Sequence, residues 1–280
     1  MMGFFEGSRA KGAPIQLYLF RYGPGPGHVL GITDAEQPVI FDDLSYLPEP
    51  IRRDRIVANG TLDRSTLEVT TVRTSPVADF FRAFPPSHPI GLTIYSGHFD
   101  DPDVDYQAIW RGRVLGCAWE DDMAMLSCEP VSSQRRRTTL RTNYQYGCPL
   151  ALYQQGPGMC NASKEDATHE ATVAAVDGAL VTLPAGWVDT ALLPRFDNGL
   201  LEWSTADGQT ESRTILRVTD DRVLLLSGVP ASLRLGQTVF AIYGCSHDME
   251  GCRLHRNIVN FGGCPDIPQI NPIGRMNIFY

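Results

Sequence analysis

No run in the chain approaches the ~20 consecutive apolar residues of a membrane-spanning helix, so membrane insertion is not expected. The opening stretch, MMGFFEGSRAKGAPIQLYLFRYG, lacks the basic segment followed by an apolar one that marks a secretory signal. The expectation is folding in a reducing cytoplasm. Cysteine is too sparse for a disulfide scaffold: there are seven in 280 residues, an odd number. Positive charge is also short. Lys and Arg total 24 against 32 Asp and Glu, a formal net charge of −8 and a pI of about 5.2. That balance argues against a nucleic-acid binder, whose phosphate contacts need clustered Lys and Arg. Long helical patterns, internal repeats and low-complexity tracts are missing too.

What remains is a chain 43% hydrophobic and 20% charged, enough to bury a proper core. Its 26 glycines and 20 prolines punctuate short apolar runs, which is the pattern of a mostly β protein. Strands are expected at 15–22, 55–58, 66–72, 90–95, 106–116 and 123–128. A short helix is expected at 78–84, behind Pro76 and ahead of Pro85–Pro86. These make a first domain, residues 1–135, read as a β-barrel or sandwich. The polar, basic stretch SSQRRRTTLRTNYQY (132–146) connects it to residues 136–280. There, strands are expected at 171–176, 179–183, 199–204, 211–219, 222–226 and 238–243, forming a small inserted β-barrel over 170–244. Asp177–Gly178 is a strong hairpin signal, and Asp220–Asp221 is expected to make another turn. The last segment, PDIPQINPIGRMNIFY (265–280), has three prolines in sixteen residues and reads as an extended tail.

The cysteines fall in an informative order. Cys117 and Cys128 sit inside apolar runs and read as inert core thiols. Cys148 and Cys160 flank the loop GCPLALYQQGPGMC; Cys245 and Cys252 flank GCSHDMEGC. The two pairs bracket the second β unit, and a unit whose ends meet would bring four thiols to one point. Four thiolates suit tetrahedral zinc and an iron–sulfur cluster equally well by ligand type. The spacings are wider than the C-x₂-C of zinc ribbons, so they do not choose the metal. Four unrelated buried thiols, or disulfides formed after release from the cell, also remain open.

Weaker signals have blander readings. DDPDVDY (100–106) has the alternating carboxylates of a calcium loop. Counted from Asp101, however, the glycine position holds Tyr106 and the closing glutamate position holds Gly112, so it reads as a solvated hairpin tip. Arg135–Arg137 with Arg141 reads as a solvated or carboxylate-paired face. GPGPGH (23–28) has no following Gly-Lys-Ser/Thr and reads as a turn. His247 and His255 stand near the cysteines as loop residues or supporting donors. Cys128 with His98 offers a thiol and a base for a hydrolase, but without any local signature.

YQYGCPLALYQQGPGMC, some eighty residues of β structure, and then GCSHDMEGCRLHRNIVNFGGCPDIP resemble the C-terminal half of the tail-tip hub proteins of long flexible-tailed bacteriophages and gene transfer agents. Gly244–Cys245, Cys252–Arg253 and Asn260–Phe261–Gly262–Gly263 match that family's closing signature. The likeness covers roughly residues 130–270. It implies a structural [4Fe–4S] cluster held by Cys148, Cys160, Cys245 and Cys252, with zinc as the alternative metal. Cys264 takes the place of the family's phenylalanine and is a possible alternative ligand. The resemblance further implies a non-enzymatic component of the virion tail tip, made in the host bacterial cytoplasm. It would form a ring, a homotrimer, between the distal tail protein and the central fibre or spike protein, with no stable nucleic-acid binding. Its rivals are a zinc-stabilised binding module and a tail-associated cysteine hydrolase. Bridging Cys160 to Cys245 would close a loop worth about 4 kcal/mol of unfolded-state entropy. The tail 265–280 is expected to lie along a neighbouring subunit.

Overall fold

The computed structural model describes residues 12–56, 66–99, 101, 105–136 (side chains of 134–136 apart), 144–230 and 232–267. Contacts divide the chain into two compact units. One is Met1–Thr138 with Ala206–Glu211 and Pro230–Ser232; the other is Thr139–Thr205, Ser212–Val229 and Leu233–Tyr280. No helix among the described residues is long and apolar enough to cross a membrane.

Among the described residues of the first unit nine strands follow one another: β1 (Pro14–Arg21), β2 (Val29–Thr33), β3 (Val39–Phe41), β4 (Leu44–Pro48), β5 (Arg52–Arg53), β6 (Leu67–Val72), β7 (Ile90–His98), β8 (Gln107–Glu120) and β9 (Met123–Pro130). They form one sheet in the order β3-β4-β2-β1-β7-β8-β9-β6-β5. The central strand β1, PIQLYLFR, is apolar on both faces because both faces are covered. Tyr18 and Phe20 join a core with Leu92, Ile94, Trp110, Val69 and Cys128, while Ile15 and Leu17 join another with Val39, Tyr46 and Tyr106. β7 alternates cleanly: Ile90, Leu92 and Ile94 are all buried. β8 runs on to Glu120, past the expected end at residue 116, through a register shift between Val114 and Gly116 that lets the longer strand stay paired with β9.

Four expectations need correcting here. Strands β2 to β4 were not foreseen. The strand expected at 55–58 is only the two-residue β5, further upstream, and residues 57 and 58 lie outside the described part. The helix begins at Pro76 and ends at Asp79, because proline suits the first helical position. Asp101 and Tyr106, expected on a solvated tip, are both buried. The Tyr106 ring packs edge-on against Phe41 at 5.1 Å and its hydroxyl donates to His98 O at 3.3 Å. Residues 100 and 102–104 of that loop and most of the Arg135–Arg141 run lie outside the described residues, as does the tail from residue 268.

The second unit carries β10 (Thr168–Thr172), β11 (Ala175–Asp177), β12 (Leu180–Thr182), β13 (Leu200–Ser204), β14 (Thr210–Thr219), β15 (Arg222–Leu225) and β16 (Thr238–Ile242). Their order is β10-β16-β13-β14-β15-β12-β11. Gly178, at φ +60°, opens the two-residue turn between β11 and β12. Asp220, at φ +53°, turns β14 into β15. Trp203, Leu201, Val239, Ala241, Ile215, Val181 and Val223 fill the core, with Leu201 opposite Ala241 and Trp203 opposite Val239. The fold is mainly β, as read from the sequence, but the described strands of neither unit close into a barrel. The strands at the ends of both orders are short, two or three residues in β3, β5 and β11, and offer too few ladder bonds to seal a ring.

Candidate metal centre

β16 delivers the chain through Tyr243 and Gly244 directly to Cys245. Ser246 then turns it into the helix Met249–Leu254, which carries Cys252. Asp248 caps that helix by accepting from Gly251 N–H at 2.7 Å and from the Ser246 hydroxyl at 2.6 Å. The Gly251 bond, and then the Ser246 bond, hold its carboxyl below the usual carboxylate range. Asp248→Ala is expected to cost about 1 kcal/mol, the worth of such a cap, measurable as a lower urea midpoint.

The upstream pair is fastened to this segment by backbone. Cys148 N–H donates to His247 O at 2.7 Å, and His247 Nδ1 returns a bond to Cys148 O at 3.0 Å. Asn257 fastens the other cysteine: its Nδ2 donates to Cys160 O, while its own N–H donates to Cys252 O at 2.9 Å. Asn260 orients that amide by donating to Asn257 Oδ1 at 2.7 Å. Tyr153, in the loop between Cys148 and Cys160, donates its hydroxyl to Tyr243 O at 2.6 Å.

Three of the four sulfurs receive an N–H. Gly262 donates to Cys148 Sγ at 3.4 Å, His247 to Cys245 Sγ at 3.3 Å, and Asn257 Nδ2 to Cys160 Sγ at 3.6 Å. N–H donors to sulfur are of the kind that surrounds the thiolate ligands of iron–sulfur sites. The fourth, Cys252, is 8% exposed and donates its own thiol proton to Asn257 O at 3.1 Å. Burial first, then the charges of Cys245, Cys148 and Cys160, push its thiol up to about 11. Burial likewise raises Cys245, with Cys160 and Cys148 adding to it. The four thiols thus lie within one another's electrostatic reach. Among the described residues, however, no group of three or more His, Cys, Asp or Glu side chains is drawn together enough to hold a metal ion as it stands. By ligand chemistry four thiols could hold a metal as thiolates; to do so the sulfurs would have to close in and Cys252 would have to give up its proton.

Two glycines keep the space clear. A Cβ on Gly251 would stand 3.2 Å from Cys245 Sγ and 2.5 Å from Ser246 Oγ. One on Gly262 would stand 2.8 Å from Leu150 Cγ and 3.5 Å from Cys148 Sγ.

The other candidates fall elsewhere. Cys264 is tied by its N–H to Gln145 O at 2.9 Å, and its thiol shares a hydrogen bond with the Tyr144 hydroxyl, which raises the phenol. It is not among the charges acting on Cys245 and Cys252. His255 Nε2 lies 2.8 Å from Gly244 O, so both histidines near the cysteines support backbone. Cys128 is wholly buried and burial pushes its thiol up to about 12, while Cys117 is half-buried, packed against the same core, and also raised by burial. Cys128 and His98 do not meet. Cys128 is opposite Val114, which is opposite Ile90, and His98 lies eight residues further along β7, about 26 Å away at strand rise. His28 N–H and Gly25 O close the GPGPGH turn at 3.1 Å. The sequence gives Gly244 a place in the closing signature but no structural role, and it leaves Asn257, five residues past Cys252, without any signal.

Residues 194–271, less than a third of the chain, match the family described as phage conserved hypothetical protein BR0599. That stretch contains Cys245, Cys252, Asn257 and Cys264. A solved chain from the virion of a native gene transfer agent particle has a similar fold, with a TM-score of 0.73 and 18% identity over 96% of this chain and 92% of that one. At that identity the likeness speaks for the fold. No curated protein matches this chain.

Proposed function

We propose that this protein is a structural component of a virion tail tip, a hub ring built from its own copies, whose second unit is stapled by a [4Fe–4S] cluster on Cys148, Cys160, Cys245 and Cys252. The observation that carries the reading is the convergence of two cysteine pairs, about a hundred residues apart in sequence, with N–H groups aimed at three of the sulfurs. Support for the virion setting comes from the fold shared with a gene transfer agent chain over nearly its whole length, and from the phage family match across the second pair. The ring is read as a homotrimer joining a distal tail protein to a central fibre or spike protein.

When bound, the cluster supplies iron–thiolate bonds that cross-link distant backbone. The chain's own part is to present the sulfurs. His247 and Asn257 hold the upstream pair against the downstream one, the helix cap orients Cys252, and the glycines leave room. No catalytic step is assigned.

The test is anaerobic purification of the full chain with iron, sulfide and zinc analysis. About four iron and four sulfide per chain, with broad absorbance near ~400 nm, is the expected result. A colourless protein carrying one zinc would replace the cluster with a zinc staple. Iron-free and zinc-free protein from anaerobic cells would end the metal reading. Locating a labelled copy in assembled virions by electron microscopy checks the tail-tip position.

A further inference from the structure

Alongside the cysteines a groove of about 520 Å³ opens between Ser163, Asp166, Arg195, His255, Arg256 and Asn257. Its charge is lopsided, with two guanidiniums against one carboxylate, in a chain of net charge −8. Arg195 is held firmly. Its Nη2 donates to Leu254 O at 2.9 Å and its guanidinium lies 3.9 Å from the centre of the Tyr243 ring. Neither it nor Arg256 has an ion pair among the described residues. The neighbouring Arg253 differs, since it pairs with Glu250 at 3.1 Å.

The backbone supplies a second observation. The helix Met249–Leu254 ends with Asn257 N–H donating to Cys252 O at 2.9 Å and Arg256 N–H to Arg253 O at 2.8 Å. These are the paired bonds of a Schellman ending, whose left-handed residue is usually glycine. Here it is Arg256, at φ +53°. Glycine would suit that conformation better, so the side chain is carried against the preference of the backbone. What it adds is a guanidinium on the groove.

We infer that this groove is a docking site for a carboxylate-bearing segment of another polypeptide, gripped by Arg195 and Arg256. Guanidinium groups match carboxylates with paired N–H donors. Arg195 is fixed in advance by Tyr243 and Leu254, which lowers the ordering cost of binding. A nucleic-acid occupant is disfavoured because two guanidiniums beside Asp166 fall short of the clustered Lys and Arg that a phosphate backbone needs, whereas they are enough for one carboxylate group. The inference needs only the folded second unit, so it stands or falls separately from the metal the cysteines hold.

The test titrates the full chain, as isolated, against a fluorescent oligoglutamate peptide by anisotropy at low salt, beside a single-stranded oligonucleotide of equal charge. The peptide is expected to bind. Arg256→Gly should weaken it about fivefold or more without lowering the thermal midpoint, because glycine suits the turn. Arg256→Glu should abolish binding, and Arg253→Ala should leave it unchanged. Absence of peptide binding, an Arg256→Gly affinity equal to wild type, or an oligonucleotide bound as tightly with the same dependence on Arg256 would each overturn the inference.

Discussion

Cys252→Ser is expected to empty the centre of metal and to lower the stability of the second unit by about 4 kcal/mol or more. The serine hydroxyl can donate to Asn257 O as the thiol does, so the metal-free fold should hardly notice the change. What the variant loses is the staple. A bridge from Cys160 to Cys252 closes a loop of some ninety residues, and loop-closure entropy alone puts that at about 4–5 kcal/mol. Metal binding to a site the unfolded chain lacks adds to folding free energy in the same direction. The measurement is anaerobic urea unfolding of wild type and variant with metal analysis of both. Equal midpoints, with the wild type fully loaded, would show that the metal holds nothing together. Cys264→Ser is the companion variant. Its thiol faces Tyr144, so iron content should be unchanged.

How much of this was legible in the sequence depends on what kind of signal each part left. β7, β9 and β16 are rich in apolar residues and could be read directly, as could the turns at Asp177–Gly178 and Asp220–Asp221. Strands β2 to β4 could not. They are short and broken by Gly31, Pro38, Asp42 and Asp43, and two of them gain their place only by pairing: β2 against β1, and β4 in parallel against β2. Barrel closure was misjudged because it depends on the length and pairing of the outermost strands, which local patterns do not record. At the candidate centre, cysteine is informative because its chemistry is narrow, so two pairs bracketing a β unit could be grouped in advance. Asn257 was invisible, since an asparagine that orders a neighbouring loop has no spacing to betray it. His247 was noticed for its imidazole. Its larger part is backbone, a left-handed residue at φ +58° that accepts from Cys148 and donates to Cys245.

The Gly-Cys pair at 244–245 has a physical reason that yields the other large effect: Gly244→Ala should cost about 3 kcal/mol and strip metal although every cysteine remains. Gly244 and Gly199 face each other where the 3₁₀ helix Thr190–Phe196 passes into β13 and β16 runs out toward Cys245. A Cβ on Gly244 would fall on Asp197 O and stand 2.5 Å from both Asn198 C and Gly199 N; one on Gly199 would fall on Ile242 O. These are backbone atoms, unable to swing aside as a side chain can. Gly244 N–H also donates to Arg195 O at 2.7 Å, and its carbonyl receives His255, so any displacement is passed to the next residue, Cys245. The readouts are metal per chain and thermal midpoint, with Gly116→Ala as control. That glycine has nothing within 4 Å of an added Cβ, and its variant should match wild type in both. Were Gly244→Ala to keep full metal and the wild-type midpoint, close backbone contact would not be what presents Cys245, and the sulfur positions would have to be set from the loop Cys148–Cys160 side instead.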